Sequence, residues 1–88
     1  MVSKKAIYTG RVQGVGFRMT AQHLAAGLRV GGYVKNLPSG QVEVAAEGEA
    51  DQVDELFTRI ARKMAGYIQD VQTTEQEPQG FAQFQIRY

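Results

Sequence analysis

"KAIYTGRVQGVGFRMTAQHLAAGL", Lys5 to Leu28, changes its hydrophobic period partway along. Ala6, Tyr8, Gly10 and Val12 keep one parity, the pattern of a strand with one covered face, here Lys5 to Val12. Ala21, Leu24, Ala25 and Leu28 then fall at i, i+3, i+4 and i+7, which predicts a short amphipathic helix from Arg18 to Leu28. Between the two periods stand Gly14 and Gly16, followed closely by Arg18. A loop that leaves a strand and enters a helix presents free backbone N–H groups, and the helix dipole adds partial positive charge there. The expectation is a local anion site. Gly14 and Gly16 let the amides curl into a nest, and Arg18 supplies a planar fork of donors matched to phosphate oxygens. A purely structural turn with an exposed arginine is the competing reading of the same residues. Neither a dinucleotide fingerprint nor a Walker loop is present: Met19 stands where the third glycine of G-x-G-x-x-G would fall, and Gly-Lys-Ser/Thr does not occur.

Outward from this unit, Gly31-Gly32 marks the end of the helix. "GYVKNLPSGQVEVAAEGE" reads as a hairpin: Tyr33 to Leu37, a turn at Pro38-Ser39-Gly40, and a strand in which Val42, Val44 and Ala46 alternate with Glu43, Ala45 and Glu47. Val53, Leu56, Phe57, Ile60, Ala61 and Met64 keep helical spacing and predict a second helix. After Gly66, "YIQDVQTTEQE" and "FAQFQIRY" read as strands, the latter alternating Phe84, Ile86 and Tyr88 with Gln83, Gln85 and Arg87. The order is β-α-β-β-α-β with a short extra strand. This predicts an α+β, ferredoxin-like split βαβ sandwich, one domain over residues 1–88, with both helices on one face of an antiparallel sheet. That arrangement hosts enzymes, RNA binders and metal carriers, so function has to come from the site.

Composition narrows the chemistry. With 88 residues, the chain buries only roughly 60 to 65% of its unfolded surface. Ten Lys and Arg against nine Asp and Glu give a net charge of +1, so no broad field is available for nucleic acid or an anionic membrane. No apolar run approaches the roughly 20 residues that span a bilayer, and "MVSKKAIYTG" lacks a signal-peptide core, so the expected location is the cytoplasm. The absence of cysteine removes disulfides, thiolate nucleophiles and thiolate metal ligands, and the single histidine, His23, argues against a His-based metal site.

"GRVQGVGFR", Gly10 to Arg18, resembles the acylphosphatase signature G-x-V-Q-G-V-x-F-R at every fixed position. "GYVKNLPSGQVEVAAEG", Gly32 to Gly48, is similar to that family's second signature, an Asn within a strand ahead of a turn glycine. The resemblance reaches from the first strand to the terminal "FQIRY". It implies hydrolysis of the carboxyl-phosphate anhydride of small-molecule acyl phosphates to carboxylate and inorganic phosphate, without metal or cofactor, inorganic phosphate acting also as a competitive inhibitor. It further implies that Arg18 binds the phosphate and Asn36 positions the attacking water, while Gln13, Gly14, Val15, Gly16 and Phe17 form the loop whose amides hold the phosphate. Leu37 departs from the Thr common in the family, which removes any hydroxyl contact at that point.

The chemistry fits so short a list of residues. A carboxylate leaving group, whose conjugate acid has a pKa of about 4 to 5, requires no general acid. Phosphoryl transfer of this kind is mostly positioning and charge stabilisation. An asparagine orients water by hydrogen bonds without deprotonating it. Taken without the family, Asn36 reads as the start of the hairpin turn. His23 lies off the apolar stripe and reads as a solvated surface residue. Glu43, Glu47, Glu49, Asp51, Asp54 and Glu55 read as a solvated rim and helix-start charge. The alternative, an RNA-binding module, would use "QGFAQFQIRY" as the stacking signature. Gln79 replaces its basic residue and Gln83 its aromatic one, leaving Phe84 on the opposite face, so no nucleic-acid partner is expected. A monomer is expected.

Overall fold

The computed structural model describes residues 1–88. The elements are β1 (Val2–Gly10), α1 (Phe17–Ala26), β2 (Val30–Asn36), β3 (Val42–Gly48), α2 (Ala50–Lys63), β4 (Ile68–Glu75) and β5 (Phe84–Arg87). They form a five-stranded sheet in the order β4-β1-β3-β2-β5, with α1 and α2 packed on it. The split βαβ order is therefore as expected. The sheet is not wholly antiparallel, however: β1 pairs antiparallel with β3 and β4, and β2 with β3, but β5 runs parallel to β2.

Cross-strand pairing makes the two faces explicit. Thr73, Ala6, Val44, Val34 and Ile86 form one row across all the strands, and Ala6, Val44 and Val34 are fully buried beneath the helices. The next row carries Tyr8, Val42 and Asn36 and so leads from the core to the end of β2. Helix α1 contributes Phe17, Ala21 and Ala25 to this core, and α2 contributes Val53, Leu56 and Ile60. In α2, Asp51 in the first turn and Arg62 and Lys63 in the last complement the helix dipole.

Several boundaries move from the sequence reading for physical reasons. The first strand starts at Val2 and stops at Gly10, and Val12 is buried in the loop beyond it. Gly10, at φ 136°, passes so close to β4 that a Cβ would lie 2.3 Å from the Tyr67 carbonyl. Gly27, not Gly31-Gly32, ends α1. Gly31 and Gly32 instead lie inside β2, where a Cβ on Gly31 would meet the Phe81 carbonyl at 2.3 Å. The segment carrying Phe81 thus lies flat on the sheet face away from the helices, its ring 5.7 Å from that of Tyr33.

Glu47 corrects the sequence reading most sharply. Read as part of a solvated acidic rim, it is 3% exposed. Its carboxylate accepts hydrogen bonds from the amides of Gln79, Gly80 and Phe81 at 2.8, 2.7 and 3.0 Å, and from the Ser3 hydroxyl at 3.3 Å. Burial alone would raise this carboxyl, but the convergent donors more than offset it and hold its pKa below the ordinary glutamate value. The carboxylate fixes the approach of the chain to β5.

Candidate active site

The loop between β1 and α1 is shaped by its glycines. Gly14 and Gly16 take φ of 77° and 78°, left-handed conformations that L side chains avoid, and nothing lies within 4 Å of where a Cβ would sit on either. Gly16 caps α1 without any side-chain hydrogen bond, and no acidic residue occupies the first turn. The backbone amides from Gln13 to Arg18 donate no hydrogen bond within the protein. They form an open set of donors at a helix start.

Apolar anchors hold the loop from below. Phe17 is buried and its ring centroid lies 5.0 Å from that of Tyr8, while Val12 is buried beside them. Burial also pushes the Tyr8 phenol well up, so this ring stays neutral. Gln13 braces the loop from the side: its Nε2 donates to the carbonyls of Leu37 and Gln41 at 2.8 and 2.9 Å. The side chain of Gln13 is therefore a strut between the loop and the β2–β3 turn. Leu37, whose missing hydroxyl stood out in the sequence, contributes its carbonyl to this brace.

Arg18 and Asn36 meet at the resulting cavity. Its volume is about 140 Å³, with Gly14, Gly16, Phe17, Arg18, Met19 and Asn36 among its walls. Asn36 is the last residue of β2, half-buried, and its carboxamide takes part in no hydrogen bond within the protein. Arg18, also half-buried, joins none of the ion pairs, which are Lys4–Asp54, Lys35–Glu43 and Arg59–Glu55. Its guanidinium lies over the Tyr88 ring, 4.9 Å from the centroid. No carboxylate or imidazole lines the cavity. His23 is exposed on α1 and belongs to a different surface.

Sequence reasoning missed two supports of this site. The alternation of Phe84, Ile86 and Tyr88 puts Tyr88 on the helix-bearing face, but nothing in the sequence brings its ring to Arg18. The sequence offers Gln13 through its backbone amide, and no local signal marks where its side chain will bridge to another turn.

A family model described as acylphosphatase matches residues 4–86. An acylphosphatase of Methanospirillum hungatei is 42% identical over 83 residues, covering 92% of this chain and 91% of its own. Another, of Petrotoga mobilis, is 40% identical over 89 aligned positions that span 100% of both chains. The crystal structure of acylphosphatase from Bacillus subtilis agrees with a TM-score of 0.89 at 32% identity, over 100% of both chains. Agreement that runs the length of the chain, in sequence and in fold, places this protein in the acylphosphatase family, as an enzyme of that type.

Proposed function

We propose that the chain cleaves the carboxyl-phosphate anhydride of acyl phosphates, acetyl phosphate among them, without a metal ion, and that Arg18 and Asn36 divide the work. The observation that carries this reading is the meeting of Arg18, the open amides of Gln13 to Arg18, and Asn36 around one cavity. The phosphoryl oxygens are held by the amides and the guanidinium, which stabilise charge on the equatorial oxygens in the transition state. Asn36 holds a water in line with the scissile bond. The bond from water oxygen to phosphorus forms as the bond from phosphorus to the acyl oxygen breaks. The electron pair leaves with the carboxylate, and the water proton passes to a phosphate oxygen. Nothing in this sequence requires an acid, because the carboxylate is a good leaving group. The donor set around the cavity, guanidinium, amides and a carboxamide, suits an anion and not a cation.

Acetyl phosphate should therefore be hydrolysed in excess chelator, while alkyl phosphate esters, with poor leaving groups, are left nearly untouched. Activity lost to chelator and restored by magnesium would refute the metal-free reading. Asn36→Ala should lower kcat by roughly 100-fold, the order seen on losing one positioned polar group, while inhibition by inorganic phosphate stays near wild type. Near-normal turnover of a folded Asn36→Ala protein would reduce Asn36 to a turn residue.

A further inference from the structure

We infer that the acyl group of the substrate lies in an apolar groove along α1, and that the favoured acyl phosphates carry a medium-length alkyl acyl group. This rests on the acyl-phosphate reading above and extends it to the other half of the substrate. The groove has a cavity volume of about 530 Å³, with Met19, Ala26, Leu28 and Phe84 among its walls, and the exposed Gln22 and His23 form its polar side. It adjoins the phosphate cavity, since Met19 lines both. Phe84 and Ile86 share one side of β5, and Tyr88, just past its end, lies with its ring beside Arg18, so the three lead from the groove toward the arginine.

The exposure of Met19 and Tyr88 calls for an occupant. Met19 is 72% exposed and Tyr88 97%, large apolar surfaces left in water next to the arginine of a polar cavity. Neither belongs to the core, and Met19 adds its exposed side chain to the apolar walls of the groove, a surface of the kind that marks a place where something binds. The group attached to a phosphate held at Arg18 has to leave the cavity, and the groove beginning at Met19 offers it an apolar path. An acetyl group would leave most of that path empty. A longer chain would cover it.

Calorimetric titration with methylphosphonate and hexylphosphonate, non-hydrolysable stand-ins for a short and a long acyl phosphate, tests the inference. Each fully buried methylene adds about fourfold in affinity, from about 0.8 kcal/mol, and an open groove takes part of that. Hexylphosphonate should bind at least about tenfold tighter. Ala26→Gln, at an exposed helical position that tolerates glutamine, should shrink this ratio to about twofold by placing an amide in the groove. The ratio of kcat/KM for hexanoyl phosphate over acetyl phosphate should follow the same pattern. Equal affinity of the two phosphonates, or a ratio unchanged in Ala26→Gln, overturns the groove assignment even with full acetyl phosphate turnover. If no acyl phosphate is hydrolysed while hexylphosphonate keeps its advantage, the hydrolytic reading fails and the groove stands as a site for an apolar chain. A groove covered by a second copy of the chain would give a dimer in sedimentation and no dependence on chain length, which also overturns the inference.

Discussion

Arg18→Gln should lower kcat/KM for acetyl phosphate by roughly 1,000-fold or more, because it removes the charged donor fork from the cavity while leaving the amides in place. The same change should weaken inhibition by inorganic phosphate by at least about tenfold, since a guanidinium that holds phosphate acts on the bound ion as well as on the transition state. Both effects together separate Arg18 from Asn36, whose loss should spare phosphate binding. Arg18→Lys should fall between, keeping the charge but losing the planar fork. The fold should survive. Arg18 joins no ion pair, and its main side-chain partner is the exposed Tyr88 ring, a contact worth about 0.5 to 1 kcal/mol. Circular dichroism and thermal melting check this before any kinetic comparison. A folded Arg18→Gln protein that still hydrolysed acetyl phosphate at a wild-type rate would move the phosphate site away from this loop.

The difference between what was legible in the sequence and what was not follows the range of the interactions involved. The Val53, Leu56, Ile60 stripe depends only on helical period, and these residues are buried where α2 packs on the sheet. The loop was legible because left-handed backbone needs glycine, and Gly14 and Gly16 indeed take positive φ. That Arg18 and Asn36 meet came only through the resemblance, since nothing local to either residue places the end of β2 beside the start of α1. The parallel pairing of β5 with β2 was not legible at all. Alternation in "FAQFQIRY" specifies a face but not a neighbour. The neighbour depends on the route taken by the chain from Gln76 to Gln83, pinned where the Gln76 amide donates to the Ser3 carbonyl, where Glu47 collects three amides, and where the Gly32 amide donates to the Gln83 carbonyl. Glu47 has the same parity as Glu43 and looks like any outward acid until those distant amides arrive.

Glu47→Ala should therefore cost about 3 to 5 kcal/mol, because it strands the amides of Gln79, Gly80 and Phe81 and the Ser3 hydroxyl on the face they now share with a buried carboxylate. For a domain whose whole stability is on the order of 5 to 15 kcal/mol, that is enough to threaten folding. Glu47→Gln keeps one acceptor oxygen and gives up the charge, so it should cost less, about 1 to 2 kcal/mol, and leave a folded protein in which the latch is measurable. Urea unfolding gives the loss for both. The pH dependence identifies the charge as its source. The Glu47 carboxyl titrates below the ordinary value of 4.5 in the folded chain, so its contribution is fully present above that value and is lost as pH falls through the lower folded pKa. Between neutral pH and about 5, wild type should keep its advantage over Glu47→Gln, and that advantage should begin to shrink below about pH 4.5 and vanish only once pH has fallen through the lower folded pKa. Hydrogen exchange at Gln79, Gly80 and Phe81 should quicken in Glu47→Gln ahead of exchange in β1 and β3, since only the former amides lose their acceptor. A Glu47→Gln protein with wild-type stability at pH 7 and unchanged protection at those amides would mean that the carboxylate charge does not hold β5 against β2, and that the apolar contacts of Phe81, Phe84 and Ile86 suffice.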